Sequence, residues 1–257
     1  MICVFFEGSQ YVELFEKRLG CNFEINVQET PYGKQQVLVP AGRNDLICIT
    51  EAGHGTGLTD SQVPKSVAYI LQQYNVDGML MVSKVGGINS LLNVGDILVM
   101  SDYIDRTSIY DFSYMRDILG CIPRYDMQEP FNIPWRTECY RTLKNNGLYA
   151  GRNIFCKGVY ICTNGPGFES KAEIASYDTM KCDVVGHYLS PYTYYCRELG
   201  IAYLTVSIVS NKYDCDELLI DTDETKNVMV GIVTDAIESF KPHFREEQKK
   251  HWIRNLS

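Results

Sequence analysis

Short runs of consecutive apolar, often β-branched residues alternate along the chain with longer stretches in which apolar residues return every three or four positions. The first pattern reads as buried strand and the second as helix with one inward face. Strands are predicted over Ile2–Phe6, Val37–Val39, Leu46–Thr50, Gly78–Val82, Asp96–Met100, Asn153–Thr163, Val184–Val185 and Ala202–Val209. Helices are predicted over Gln62–Tyr74, Trp135–Asn145, Ser170–Met180, Pro191–Leu199 and Thr225–Phe240. Pro134 opens the second helix and the acidic Asp221-Thr-Asp-Glu224 precedes the last, as helix starts favour. Strands alternating with helices imply an α/β fold: a central mixed, mostly parallel sheet flanked by helices. No repeat or linker divides residues 1–257, so a single domain is expected, with 241–257 as a helical tail. The charge run Arg245-Glu-Glu-Gln-Lys-Lys-His251 in that tail reads as a solvated helix face.

Composition removes several classes of function. At 45% apolar and 22% charged residues the 257-residue chain is globular and not disordered. Twenty-four Lys plus Arg against 32 Asp plus Glu leave a net charge of −8, and no basic run is dense enough to follow a phosphate backbone. Nucleic acid is therefore not an expected partner. The longest apolar runs fall far short of the about 20 residues a membrane helix needs, so no membrane partner is expected. Met1-Ile-Cys-Val-Phe-Phe6 is followed at once by Glu7, without a basic leader or a small-residue cleavage site, which points to a cytoplasmic address. Ten cysteines without a C-x-x-C pair read as reduced core thiols rather than a disulfide scaffold or zinc site.

In a sheet of this kind ligands collect at the carboxyl ends of strands, so the residues just after each apolar run carry the information. Glu7-Gly8-Ser9 offers backbone N–H groups that suit either an anion or an ordinary turn. Ala52-Gly-His54-Gly-Thr-Gly57 is a flexible turn or a site with one histidine. Paired glycines in Ser83-Lys84-Val-Gly-Gly-Ile-Asn89, followed by Val94-Gly-Asp-Ile97, suggest close approach of backbone to a ligand. Thr163-Asn-Gly-Pro-Gly-Phe168-Glu169-Ser170 sets an aromatic face beside a carboxylate, which suits a flat heterocycle or, equally, a helix-capping loop with a buried Phe. Ser210-Asn211-Lys212 adds an amide that donates and accepts at once, or a turn. No Walker loop, H-E-x-x-H pattern or serine-histidine-acid spacing occurs, and the four histidines are too scattered to propose a metal. The residues themselves lead as far as a small polar-aromatic ligand.

Taken in order, these pieces resemble the trimeric purine nucleoside phosphorylase and methylthioadenosine phosphorylase family from about Leu80 to about Phe240. The resemblance is carried by Val85-Gly-Gly-Ile-Asn89 with Val94-Gly-Asp-Ile97, Tyr103-Ile-Asp-Arg-Thr107, Glu129-Pro-Phe131, Gly165-Pro-Gly-Phe-Glu-Ser170, Asp183-Val-Val-Gly186, Pro191, Arg197-Glu-Leu-Gly-Ile201 and Ser210-Asn211. Ile104-Asp-Arg-Thr107 and Glu129-Pro-Phe131 look most like the methylthioadenosine branch. The resemblance implies cleavage of the N-glycosidic bond of a purine nucleoside, by electrostatic stabilisation of an oxocarbenium-like sugar and a departing purine. It implies a homotrimer, phosphate as co-substrate, and neither a metal nor an organic cofactor. It also implies that Phe168 stacks on the purine, that Glu169 holds the base edge and that Asn211 faces N7 and the 6-substituent. An amide there suits a 6-oxo group, where adenine-selective relatives usually carry Asp.

The departures are as informative. His187-Tyr188 stand where the family has methionine and a small hydroxyl residue beneath the ribose, and Tyr192 replaces a glutamate. Thr225 falls where a bulkier histidine often meets the sugar 5′ end, which leaves room for a 5′ substituent. At the anion site Ser9 survives, but Glu7 has appeared beside it, the usual arginine near His54 is missing, and Lys84 replaces a small residue. Two accounts of Glu7 and Lys84 are open. Either Lys84 restores the lost cation and phosphate is the acceptor, or Glu7 activates water and the chain is a nucleosidase. A nucleoside-binding module that kept its base pocket is the non-enzyme alternative.

Overall fold

The computed structural model describes residues 1–50, 62–108, 111–120, 124–165, 167–213, 219 and 222–249. Its elements in chain order begin with β1 (Ile2–Phe6), α1 (Val12–Leu19), β2 (Phe23–Thr30), β3 (Gly33–Pro40), β4 (Leu46–Thr50), α2 (Gln62–Gln73) and β5 (Gly78–Gly87). There follow β6 (Ile97–Val99), β7 (Asp102–Asp105), α3 (Met115–Leu119), α4 (Ile133–Asn145), β8 (Ile154–Phe155), β9 (Val159–Cys162) and α5 (Lys171–Thr179). The chain closes with β10 (Val184–Gly186), α6 (Tyr192–Leu199), β11 (Ala202–Lys212), α7 (Asp223–Ser239) and α8 (Phe244–Lys249). One sheet joins all the strands in the order β2-β3-β4-β1-β5-β10-β9-β7, with β11, β6 and β8 branching from β5. The pairs of β5 with β1 and β11 are parallel, whereas its pair with β10 is antiparallel, so the mixed, mostly parallel α/β architecture expected from the pattern is present.

Alternation along β1 explains how both faces are covered. Ile2, Val4 and Phe6 join Phe15 of α1, Trp135 of α4 and Val230 of α7 in one core cluster. Cys3 and Phe5 point the other way, into a cluster with Val67 of α2 and Cys196 of α6. Successive side chains on a strand face opposite sides, so a fully apolar strand must be buried by helices on both. Six of the cysteines are buried free thiols, as expected of core residues; Cys121 and Cys215 lie outside the described residues.

Three expectations are corrected. The run Asn153–Thr163 is two strands, because β8 pairs with β6 while β9 pairs with β7 and β10. Gly158 lies between them, where a Cβ would stand 2.9 Å from Leu98 Cδ2. The paired glycines Gly86 and Gly87 are not a loop after a strand but the end of β5 itself, squeezed between β10 and β11. A Cβ on Gly86 would lie 3.2 Å from Val185 Cγ1. Finally, α8 is not wholly solvated, since Phe244 is buried and Arg245 Nη1 pairs with Asp77 at 3.0 Å. Residues 250–257 of the expected tail lie outside the described residues.

Candidate active site

The sheet forks at β5. Along one edge β1 accompanies it as far as the Phe6–Val82 pair, and β10 begins only at the Gly86–Val185 pair. Between those points β5 has no strand on that edge, and a backbone N–H left there requires another acceptor. Glu7, the first residue after β1, supplies one: Lys84 N–H donates to Glu7 Oε2 at 2.7 Å. A cavity of about 580 Å³ opens at this gap, lined by Glu7 and Lys84 together with Phe168, Glu169 and Asn211. Its size is that of a small-molecule site.

Asn211 is delivered by an irregularity. The β11–β5 register is continuous to Val209 and resumes at Asn211, with Ser210 as the extra residue of a bulge, a device that re-aims side chains at strand ends. Ser210 Oγ donates to Asn211 Oδ1 at 2.8 Å and lies 3.2 Å from the Val85 carbonyl. This hydrogen bond orients the amide and leaves Nδ2 as the donating edge, which has no partner among the described residues. On the far side of the cavity Ser170 and Glu173 form a reciprocal capping box at the start of α5. The loop before it does cap a helix, but Phe168 is 87% exposed, so the buried-Phe alternative is ruled out. Thr163 Oγ1 donates to Glu169 Oε1 at 2.8 Å and contacts His187 Nδ1 at 2.9 Å.

Tyr188 also lines the cavity beside His187. The other expected residues fall elsewhere or outside the described chain. Ser9 is exposed at the start of a 3₁₀ turn, Ser9–Tyr11, and is not among the lining residues. Thr225 is buried in the first turn of α7, with its hydroxyl 3.1 Å from that of Thr222, the N-cap residue. It does not line the cavity described by these residues. His54 lies outside the described residues. Three of the motif carboxylates are scaffold. Asp96 accepts from Asn93 N–H at 2.8 Å, Asp183 accepts from Val159 N–H at 2.8 Å, and Asp105 accepts from the Ser190 hydroxyl at 2.5 Å. Thr163 and Tyr160 were not singled out from the sequence as site residues, because their roles depend on β9 lying beside β10, which no local spacing encodes.

Tyr160 explains why position 186 is glycine. A Cβ there would stand 2.1 Å from Tyr160 Oη and 3.4 Å from Val85 Cγ1. Tyr160 is wholly buried, and burial above all, with the Glu7 charge among the added causes, holds its phenol well above the ordinary tyrosine value. The ring therefore stays neutral. Gly186→Ala is expected to cost about 1–3 kcal/mol through overpacking. Urea unfolding checks this, and Tyr160→Phe in the same chain should recover part of the loss; a midpoint unmoved by Gly186→Ala would reject the close contact.

Over residues 10–242 the sequence matches the family described as the phosphorylase superfamily, and the chain belongs to it. Within that superfamily its place is with the purine nucleoside and methylthioadenosine phosphorylases, the family its motifs resemble. It is 33% identical to a protein of Dictyoglomus turgidum named a probable 6-oxopurine nucleoside phosphorylase, over 73% of this chain and 70% of that one. It is 28% identical to a probable S-methyl-5′-thioinosine phosphorylase of Methanocaldococcus jannaschii, over 81% of this chain and 82% of that one. A solved methylthioadenosine phosphorylase from an Antarctic soil metagenomic library superposes with a TM-score of 0.82 at 22% identity, covering 99% of this chain and 93% of that one. At that identity the likeness is one of fold.

Proposed function

We propose that this chain cleaves the N-glycosidic bond of 6-oxopurine nucleosides with phosphate as acceptor, releasing the free purine and a pentose 1-phosphate. The observation that carries the reading is the orientation of the Asn211 amide. With Oδ1 tied to Ser210, Nδ2 presents a donor, which a 6-oxo group accepts and a 6-amino group does not. Glu169 acts in the same sense, because the N1–H of a 6-oxopurine donates to a carboxylate, whereas adenine offers a bare lone pair there. Both relatives named above carry 6-oxopurine or thioinosine in their names. The thioinosine name also supports room for a 5′ substituent, which the buried Thr225 of α7 does not itself border.

The departing purine gathers negative charge at N7 and O6, where Asn211 stabilises it, and the anion approaches the anomeric carbon from the Glu7 and Lys84 end. A second reading rests on one contact. Glu7 Oε2 occupies the Lys84 N–H that an incoming anion would use, and a carboxylate so placed can activate water instead. Phosphorylase names among the relatives favour phosphate. The reaction needs no metal or organic cofactor, and we place it in the cytoplasm, in purine salvage, in keeping with the buried free thiols. We also propose a homotrimer: Phe168 and Tyr213, both exposed in the single chain, are the faces a neighbouring copy or bound ligand would cover. Light scattering on the purified protein reads that state.

Incubation with inosine, guanosine, adenosine and 5′-methylthioinosine, followed by chromatography of the released base, tests the substrate class. Hypoxanthine release from inosine well ahead of adenine release from adenosine is expected; the reverse order would overturn the 6-oxo assignment. Stacking on Phe168 is expected to contribute about 1–3 kcal/mol to base affinity. Calorimetry of hypoxanthine binding to Phe168→Ala checks this, and an affinity equal to the parent's would return Phe168 to a purely capping role.

A further inference from the structure

The Thr163 hydroxyl touches two groups, Glu169 Oε1 at 2.8 Å and His187 Nδ1 at 2.9 Å. It has one proton to give. A carboxylate can only accept, so that proton goes to Glu169, and the contact with His187 must be made by a proton on Nδ1 donated to the Thr163 oxygen. A neutral imidazole carries a single N–H, so Nε2 is then a bare lone pair. No described residue partners Nε2, although His187 lines the cavity. The ring is also held in place from the side: a Cβ built on Gly165 would lie 3.2 Å from His187 Cγ, and Gly165 has φ +61, where a side chain is disfavoured.

The position of the ring says what that lone pair meets. On one side His187 is linked through Thr163 to the base-edge carboxylate. On the other, β10 runs antiparallel to β5 with Val185 opposite Gly86, so His187, two residues on, lies towards Lys84 and the Glu7 carboxylate that accepts the Lys84 N–H. A nucleoside bound between these two ends puts its sugar at His187. Phosphate near neutral pH offers mainly acceptors, and the donor edge of a 6-oxopurine is taken by Glu169, so the remaining donors of the right kind are the sugar hydroxyls.

We propose that His187 Nε2 accepts a hydrogen bond from a secondary hydroxyl of the ribose, and that Thr163 is the positioning residue that sets the imidazole tautomer for it. The inference rests on the nucleoside reading above. It makes the enzyme selective for ribosides over one of the two deoxy sugars, and it couples the base and sugar ends through one hydroxyl oxygen.

The test reads the tautomer and the sugar preference separately. In protein with ¹⁵N-labelled histidine, the His187 resonances, identified by their loss in His187→Gln, are expected to show the Nδ1–H tautomer. Thr163→Val should shift it towards Nε2–H, and Thr163→Ser should restore it. Inosine should move the Nε2 resonance in the direction of hydrogen-bond acceptance, and either 2′-deoxyinosine or 3′-deoxyinosine should fail to do so. Among kinetic readouts, the kcat/KM preference for inosine over that deoxy analogue should fall about 10-fold or more in His187→Met and in Thr163→Val, and recover in Thr163→Ser. An Nε2–H tautomer in the parent, or an Nε2 resonance indifferent to inosine, would overturn the proposal. So would an inosine preference unchanged in folded His187→Met. If the parent cleaves no nucleoside, the Nε2 response to inosine still decides for or against His187, while the phosphorylase reading alone falls.

Discussion

Lys84→Ala is expected to lower kcat/KM measured against phosphate by about 10²- to 10³-fold, the loss typical when one preorganised group facing a reacting anion is removed. The reason lies in the gap on the β5 edge. Glu7 Oε2 already accepts the Lys84 N–H at 2.7 Å, so in the proposed reaction phosphate would enter a site that holds a carboxylate. Two like unit charges about 4 Å apart repel by about 4 kcal/mol at an effective dielectric of 20, and an ammonium at similar range offsets a term of the same size. Without the Lys84 side chain, Glu7 is left to repel the co-substrate. Initial rates over a phosphate series separate the effects: KM for phosphate should rise most, and Lys84→Arg should keep much of the activity. Turnover and phosphate KM both unchanged in Lys84→Ala would defeat the compensation between the two residues.

Asn211→Asp is expected to move the kcat/KM ratio of inosine to adenosine towards adenosine by about 10-fold or more, with inosine activity itself falling steeply. The substitution keeps the shape and the Ser210 contact, since a carboxylate oxygen accepts as Oδ1 does. It replaces the Nδ2 donor by an acceptor, which opposes a 6-oxo group and suits a 6-amino group. Ser210→Ala is a milder version, because it frees the amide to turn. An inosine-to-adenosine ratio unchanged in folded Asn211→Asp would remove Asn211 from the base site.

The hydrophobic pattern made most of the sheet legible because β1, β4, β5 and β11 are apolar on both faces, a signature that only helices on each side explain. It missed β2, where Ile25 and Val27 are largely exposed and the strand is held by its antiparallel ladder with β3 instead of by burial. It missed α1 as well, whose Phe15 is its one fully buried residue among mostly charged or half-buried neighbours. Phe168, Glu169 and Asn211 line the cavity, and each follows or ends an apolar run; that spacing alone left each as a turn or a site, and only the family resemblance gave them roles. The contact of Glu7 with Lys84 spans 77 residues and exists only because β1 stops short of β10 along β5. Thr163 and His187 meet across 24 residues for the same kind of reason, the parallel pairing of β9 with β10. Such contacts are properties of strand adjacency, and local spacing carries no trace of them.

Phosphorus NMR of the parent protein turning over inosine, with and without added phosphate, tests the central claim most directly, because it identifies the group that reaches the anomeric carbon. With phosphate present, a ribose 1-phosphate resonance should grow in step with hypoxanthine release, and without phosphate hypoxanthine release should all but stop. Hypoxanthine and free ribose appearing at the same rate in both samples would contradict the account and make Glu7 the base that activates water.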